Sequence, residues 1–314
     1  MDKAPLEMES RQERFVMGID EAGRGPVLGP MVYACCACPR DRMSELQALG
    51  VRDSKALSEQ QRERLLNSLE ENADWLYMRT CILSPERLSS TMLGRRRVNL
   101  NETSHAAAMS LVQEAVSSQI TIDELFVDTV GPPESYQAKL KRAFPTIRRV
   151  IVQSQAESHY PVVAAASIVA KVTRDRALRS WVFPEEANCP GWCLSRDYGS
   201  GYPADPITRR WLGRHLDPIF GLPSLVRFSW STCQTLLEKE CVRVEWPLEH
   251  APPTDLTSFL ARKKRRATDP YHCAFLEQAH IKRLTVSATP PSEQAPPRKR
   301  GPSRKRPAPM KHRR

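Results

Sequence analysis

The stretch that most constrains the fold is Phe15-Val16-Met17-Gly18-Ile19, an apolar run that stops abruptly at two adjacent carboxylates, Asp20 and Glu21, followed by Ala22-Gly23-Arg24-Gly25-Pro26. A short apolar run bounded by a Gly/Pro-rich turn reads as a buried strand, with Met31 to Cys36 as its antiparallel partner. This places Asp20 and Glu21 where the sheet meets solvent. Side chains alternate along an extended chain, so the two acids point to opposite sides unless the turn re-aims one. Gly23 and Gly25 allow such a turn and a close approach of backbone to a ligand, and Arg24 between them can meet a phosphate. An acid pair before a polar turn is, taken alone, more often a plain strand end.

The rest of the chain extends the pattern. Ser58 with Gln61 three residues later is a capping box, opening a helix whose apolar face is Leu65, Leu66 and Leu69. Trp75 to Leu83 reads as a strand, and Ser84-Pro85 as a helix start. Asn101 to Ser118 reads as a helix with Ala106, Ala107, Met109, Leu111, Val112 and Ala115 on its buried face. Glu124-Leu125-Phe126-Val127-Asp128 repeats the opening logic, an apolar strand ending in an acid before a turn. A helix from Pro133 to Phe144, a strand from Ile147 to Val152 and a long, small-residue helix from Val162 to Val182 follow. Strands alternating with helices argue an α/β domain, a mixed sheet flanked by helices. Beyond Cys189 a turn-rich stretch leads to helices at Asp205–His215 and Thr232–Glu240, a smaller helical C-terminal part. The expected divisions are a polar extension (1–14), the α/β domain (15–185), the helical part (186–246), an extension suited to partner docking (247–289) and a tail (290–314).

The formal charge of +11 is concentrated in that tail, where nine Lys or Arg face one acid, Glu293, among recurrent prolines. Such a composition predicts disorder, and the basic clusters flanking Gly301-Pro302-Ser303 predict a two-part nuclear import signal that can also tether nucleic acid. Nine cysteines, three of them in the apolar run Cys35-Cys36-Ala37-Cys38, suit a reducing compartment. Cys189 and Cys193 have half the spacing of a zinc site but no second pair. No apolar run reaches the ~20 residues of a membrane span, which predicts no membrane association.

Phosphodiester hydrolysis on a polyanion needs charge neutralised at the phosphate, an activated water and a stabilised leaving oxygen. Carboxylates clustered at strand ends supply these by holding two Mg²⁺ or Mn²⁺ ions, and no phosphate-binding lysine loop or nucleophile elbow offers another route.

The string Asp20-Glu21-Ala22-Gly23-Arg24-Gly25-Pro26, followed by Gly29-Pro30, closely resembles the signature of type 2 ribonuclease H, called ribonuclease HII in prokaryotes. From Phe15 to about Glu240 the chain is similar to the catalytic A subunits of the eukaryotic members. The resemblance implies an RNase H-like fold and cleavage of RNA/DNA hybrids and of duplex DNA carrying embedded ribonucleotides. It implies noncatalytic B and C subunits as partners. It sets Asp20, Glu21 and Asp128 on three of the family's four metal-binding acids, and Gly23, Arg24 and Gly25 on the turn that recognises the ribose 2′-hydroxyl. Tyr202 matches the tyrosine that stacks on the sugar at the RNA-to-DNA junction, and Lys55, in Asp53-Ser54-Lys55, a lysine near the phosphates. One position departs: where the family has Lys-Ala-Asp, this chain has Gln155-Ala156-Glu157, so the fourth acid is a glutamate, longer by one methylene. That substitution raises an alternative, a catalytically weakened hybrid-binding or assembly subunit.

Overall fold

The computed structural model describes residues 13–51, 54, 57–188, 193–245 and 282–283. Strand β1 (Phe15–Ala22) lies at the centre of a five-stranded sheet. It pairs antiparallel with β2 (Met31–Pro39), Ile19 opposite Cys35, and β2 pairs antiparallel with β3 (Tyr77–Leu83). On its other side β1 runs parallel to β4 (Ile122–Asp128), which runs parallel to β5 (Arg149–Gln153), giving the order β3-β2-β1-β4-β5. The sheet is mixed, as the alternation of strands and helices predicts: β1 returns antiparallel as β2 through a short connection, whereas β4 and β5 are joined by a crossover helix, Pro133–Ala143, and run parallel.

The helices are α1 (Met43–Ala48), α2 (Glu59–Glu71), α3 (Pro85–Leu93), α4 (Leu100–Ser117), α5 (Pro133–Ala143), α6 (Pro161–Arg179), α7 (Pro184–Asn188), α8 (Pro206–Arg214) and α9 (Ser231–Glu240). The local signals act as expected. Ser58 and Gln61 form the reciprocal capping box of α2, Ser84 and Asn99 cap α3 and α4, and Asp205 caps α8. None of the helices among the described residues is long and apolar enough to cross a membrane.

Period-2 alternation splits the sheet into two cores. Met17, Ile19, Tyr33 and Val127 face Leu111, Tyr136 and Leu140 of α4 and α5. Val16, Ala34, Cys36 and Phe126 face Leu66, Val163, Ala166 and Ile168 of α2 and α6. A third core lies under the turn-rich segment, where Val27 and Leu28 of the β1–β2 connection pack with Phe183, Trp211, Leu225 and Val226. The connection is fixed there by backbone bonds from Val27 N to Gly201 O (2.8 Å), Gly29 N to Leu225 O (2.8 Å) and Arg227 N to Val27 O (2.9 Å).

Several expectations need correction, among them the strand expected from Trp75, which begins at Tyr77, and the helix expected to reach Val182, which ends at Arg179. Asp20 is not at the solvent boundary: β1 continues through Ala22 and Asp20 is 4% exposed. On α4, Ala106 is exposed, while Ser104, His105 and Ala108 are buried; an alanine contributes too little area to fix a helix's rotation. The last strand begins at Arg149 rather than Ile147, which is buried but outside the sheet.

The chain divides into two units, Met1–Val242 and Arg243–Arg314. In the second, Val244–Glu245 and Lys282–Arg283 pair as a short antiparallel ribbon, β6 and β7. Lys55, Cys189 and the basic tail lie outside the described residues.

Candidate active site

The strand ends open onto a cleft of about 390 Å³ whose walls include Asp20, Glu21, Asp128, Glu157, Gly23, Arg24, Gly25 and Tyr202. Every site residue proposed from sequence is therefore gathered there except Lys55. Alternation governs which way each acid points. Asp20 shares the α6 side with Val16, and Glu21 shares the α4 side with Ile19 and Tyr33. The pairing of Ile19 with Val127 brings Asp20 alongside Asp128 in the neighbouring parallel strand.

Glu157 reaches the cleft by a different route. After β5, Gln155 adopts the left-handed conformation (φ 57°, ψ 34°), and the 3₁₀ turn Ala156–Ser158 follows. Such a conformation costs a residue with a side chain about 1–2 kcal/mol. The turn is secured by Ala156 N donating to Asp128 Oδ1 at 2.9 Å. Glu157 Oε2 then accepts from Ser54 Oγ and Ser167 Oγ, both at 2.8 Å, and from Lys171 Nζ at 3.5 Å. Lys171 also donates to Ser167 Oγ at 2.7 Å and to Ser54 Oγ.

The electrostatics are unbalanced. Burial pushes the Asp20 carboxyl up to about 7; a hydrogen bond from Ser167 opposes the rise and the charge of Asp128 adds to it. Burial, then the charges of Asp20 and Asp128, push Glu21 up to about 8. Glu21 Oε2 is buried with no hydrogen-bond partner. An orphaned carboxylate oxygen among acids that resist ionising is a site short of positive charge, and hard divalent cations prefer such oxygen donors. The set therefore fits a metal in kind. Among the described residues, however, no three carboxylate, imidazole or thiol groups converge on one point as the side chains stand. The opposed directions of Asp20 and Glu21, and the capture of Glu157 by two serines and a lysine, account for that.

The glycine-arginine-glycine turn is clamped from two directions. Gly23 has φ +78°, and a Cβ there would lie 2.2 Å from Arg174 Nε; at Gly25 a Cβ would lie 2.9 Å from the Tyr202 ring. Any side chain at either position would displace a cleft residue. The turn's carbonyls point away from the cleft: Arg227 donates from Nη2 to Gly23 O (2.6 Å), from Nη1 to Arg24 O (3.3 Å) and from Nε to Gly29 O (2.7 Å), and Trp230 Nε1 donates to Gly25 O (3.1 Å). Arg227 is wholly buried, which draws its guanidinium down to about 9. Arg24 is braced by Ser104 Oγ (2.7 Å) and Asn101 Oδ1 on the first turn of α4. Tyr202, half exposed, projects from a loop held by Asp205, which accepts from Ser200 N and Oγ and whose carboxyl falls to about 2 through those bonds.

Sequence reasoning missed Ser54, Ser167, Lys171, Arg174, Arg227 and Trp230. Three carried a signal. Ser167 and Lys171 stand four apart in the otherwise apolar first part of α6, and Arg227 interrupts the apolar Leu225-Val226-Arg227-Phe228.

A family model described as ribonuclease HII matches residues 17–233. The ribonuclease H2 A subunit of Rattus norvegicus is 51% identical over 243 residues, 77% of this chain and 79% of the rat protein. Its Homo sapiens counterpart gives the same identity and the same shares. Among solved structures, the ribonuclease H2 from Pyrococcus horikoshii OT3 superposes with a TM-score of 0.57 at 31% identity, covering 72% of this chain and 98% of the archaeal one.

Proposed function

The chain belongs to the ribonuclease HII family, and from that premise we propose that it is the catalytic subunit of a ribonuclease H that cuts RNA paired with DNA and cuts duplex DNA 5′ of a single embedded ribonucleotide, leaving 3′-hydroxyl and 5′-phosphate ends. The observation that carries this reading is the sharing of one cleft by strand-end carboxylates, Asp20 among them buried, and by a glycine turn packed against an exposed tyrosine.

Asp20, Glu21, Asp128 and Glu157 are the residues that would hold two Mg²⁺ or Mn²⁺ ions, which when bound supply charge neutralisation at the scissile phosphate and a more acidic attacking water. Asp20 and Glu21 release protons on loading, since their raised carboxyls are partly protonated near neutrality without a cation. Ser54, Ser167 and Lys171 hold Glu157 in place. With the carbonyls of Gly23 and Arg24 taken up by Arg227, the N–H groups of Arg24 and Gly25, antiparallel to them across each planar peptide, face the opposite way and probe for a 2′-hydroxyl. Tyr202 stacks on the sugar at the junction and Arg24 positions the phosphate; Lys55 belongs to the same reading.

The test is cleavage of a labelled DNA duplex carrying one ribonucleotide, with Mg²⁺ or Mn²⁺, by the chain assembled with B and C subunits, beside Asp128→Ala. A cut 5′ of the ribonucleotide that Asp128→Ala abolishes supports the reading. Hybrid binding without cleavage favours a weakened assembly subunit instead, a reading to which the engagement of Glu157 by Lys171 lends weight. Association with B and C subunits, roles in replication and repair, and nuclear import through the basic tail complete the proposal. Deleting 290–314 and scoring location and hybrid affinity separately tests the import step.

A further inference from the structure

A second groove, of about 470 Å³, adjoins the catalytic cleft and is lined by Arg24, Gly25, Met92, Leu100, Ser229 and Trp230. Arg24 and Gly25 line both, so the two form one continuous surface around the glycine turn. The groove is a built feature of the fold. Ser229 Oγ approaches Met92 Sδ at 3.4 Å, Phe228 N donates to Ser89 Oγ at 2.9 Å, and the Trp230 indole is fixed to Gly25 O. Its floor is apolar, formed by an indole, a thioether and a leucine.

The chain between two of its lining residues is strongly basic. Met92 and Leu100 bracket a short connection between α3 and α4 that carries Arg95, Arg96 and Arg97 in succession. The connection is held tight by Gly94 N to Ser90 O (2.9 Å) and Val98 N to Thr91 O (3.1 Å). All three arginines are exposed, and none has an ion pair or hydrogen bond among the described residues. Other surface arginines, such as Arg79, Arg176 and Arg196, are paired with glutamates, and the unpaired ones among the described residues, such as Arg64 and Arg142, do not stand in a run of three arginines. Three neighbouring unneutralised guanidinium groups beside an apolar floor match a ligand with a row of anions and flat or aliphatic faces between them.

We infer that this groove is a second nucleic-acid subsite, in which the strand that passes over the glycine turn continues across Trp230 and Met92 and sets its phosphates on Arg95, Arg96 and Arg97. The inference rests on the hybrid-cleaving reading above and adds a footprint to it. Continuity with the catalytic cleft favours a nucleic-acid strand over an acidic peptide, because an occupant that enters one groove along the turn is carried into the other.

The experiment measures hybrid binding by fluorescence anisotropy over a range of KCl, without divalent ions, for the full chain and for Arg95→Gln/Arg96→Gln/Arg97→Gln. The hybrids are long, or trimmed on one side or the other up to the position next to the glycine turn. For the long hybrid, the triple variant is expected to raise Kd about tenfold near 0.1 M KCl and to lessen the slope of log K against log[KCl] by about 2.7, at ~0.9 for each of three lost phosphate contacts on a duplex. Trimming one flank, and not the other, removes the difference between variant and wild type. A variant with wild-type Kd and slope overturns the inference. So does an effect that survives trimming of either flank, which would mark a diffuse field, and so does lost affinity for the B and C subunits with hybrid affinity intact, which would mark a protein-docking face. A wild-type chain that neither binds nor cuts hybrids refutes the parent reading instead, and is told apart by that result.

Discussion

Two acidic pairs occupy the central parallel strands, and the fold treats them in opposite ways. At the start of β4, Asp123 and Glu124 have side chains only 6% and 8% exposed. They are surrounded by guanidinium groups: Arg148 donates to Asp123 at 2.9 Å and to Glu124 at 2.7 Å, Arg40 to Asp123 at 2.8 Å, and Arg149 to Glu124 at 3.3 Å. The hydrogen bonds and charge of Arg148 hold the Asp123 carboxyl below its ordinary value. At the end of β1, Asp20 is as deeply set and Glu21 is partly buried, and both are driven upward. The cations that act on them, Arg24 and Lys171, offset the rise only in part and are engaged elsewhere, Arg24 by Ser104 and Asn101 and Lys171 by Ser54, Ser167 and Glu157. A pair that only holds structure is neutralised by the protein. A pair left largely unneutralised in an open cleft is one that a charge from outside can complete.

Exchanging the damage between the two ends breaks or upholds that contrast most forcefully. Asp128→Asn is expected to lower kcat on a ribonucleotide-containing duplex by about 10³-fold or more, the scale of losing a group that stabilises developing charge, with a wild-type melting temperature or a higher one. Asp123→Asn is expected to leave kcat within about twofold and to cost about 1–2 kcal/mol of stability, at the low end for charged hydrogen bonds because the arginines are half exposed. Comparable activity losses in both variants would refute the contrast.

The buried arginine gives the next largest effect. Lysine carries the same charge as a point donor and cannot span the carbonyls of Gly23, Arg24 and Gly29. Arg227→Lys is expected to lower kcat/KM by about 10–100-fold, as for other groups that orient a site without touching the substrate. Hybrid Kd should change far less. A parallel loss in both, or none in either, would separate the turn's geometry from catalysis.

A pH series compares the two ends by stability. Asp20 and Glu21 have folded values above their unfolded ones, so between about pH 4 and pH 8 the native state binds more protons than the unfolded chain, and their contribution to stability falls as pH rises. Asp123 has the opposite sign: its contribution is present at neutral pH and is lost on acidification below about 4. Without divalent ions, wild type should lose several degrees of melting temperature between pH 6 and pH 8.5 relative to Asp20→Asn/Glu21→Gln, and Mg²⁺ at pH 8 should restore most of the difference. Parallel pH profiles for the two proteins would mean that the acids carry no unfavourable charge.

Much of this was readable from local chemistry. The strand ending in Asp20-Glu21, the capping box at Ser58, the proline-led helices and the strand ending in Asp128 each depend on a few neighbouring residues, and each stands where those residues put it. What was not readable depends on contacts distant in sequence. Ser54 meets Glu157 across 103 positions and Arg227 meets Gly23 across 204, and no periodicity encodes such pairs. The burial of Asp20 was missed for a related reason. A carboxylate in a strand reads as a terminus unless its partners are known, and Ser167, which offsets part of its burial, lies on a helix formed much later in the chain.

The smallest effect concerns Glu157, where the two treatments of acids meet in one residue. It is buried like Asp20, yet Ser54, Ser167 and Lys171 satisfy one of its oxygens as the arginines satisfy Asp123. An aspartate at this position would be shorter by one carbon–carbon bond, roughly 1.5 Å, and would withdraw from that trio. Mg²⁺ demands near-ideal octahedral placement of its ligands, so the longer side chain penalises it more than a metal of looser geometry. Wild type should therefore show a Mn²⁺-to-Mg²⁺ activity ratio that falls about two- to fivefold in Glu157→Asp, mainly through a gain in Mg²⁺. An unchanged ratio would mean that Glu157 acts through its hydrogen-bonded anchors alone, and would place it with the structural acids.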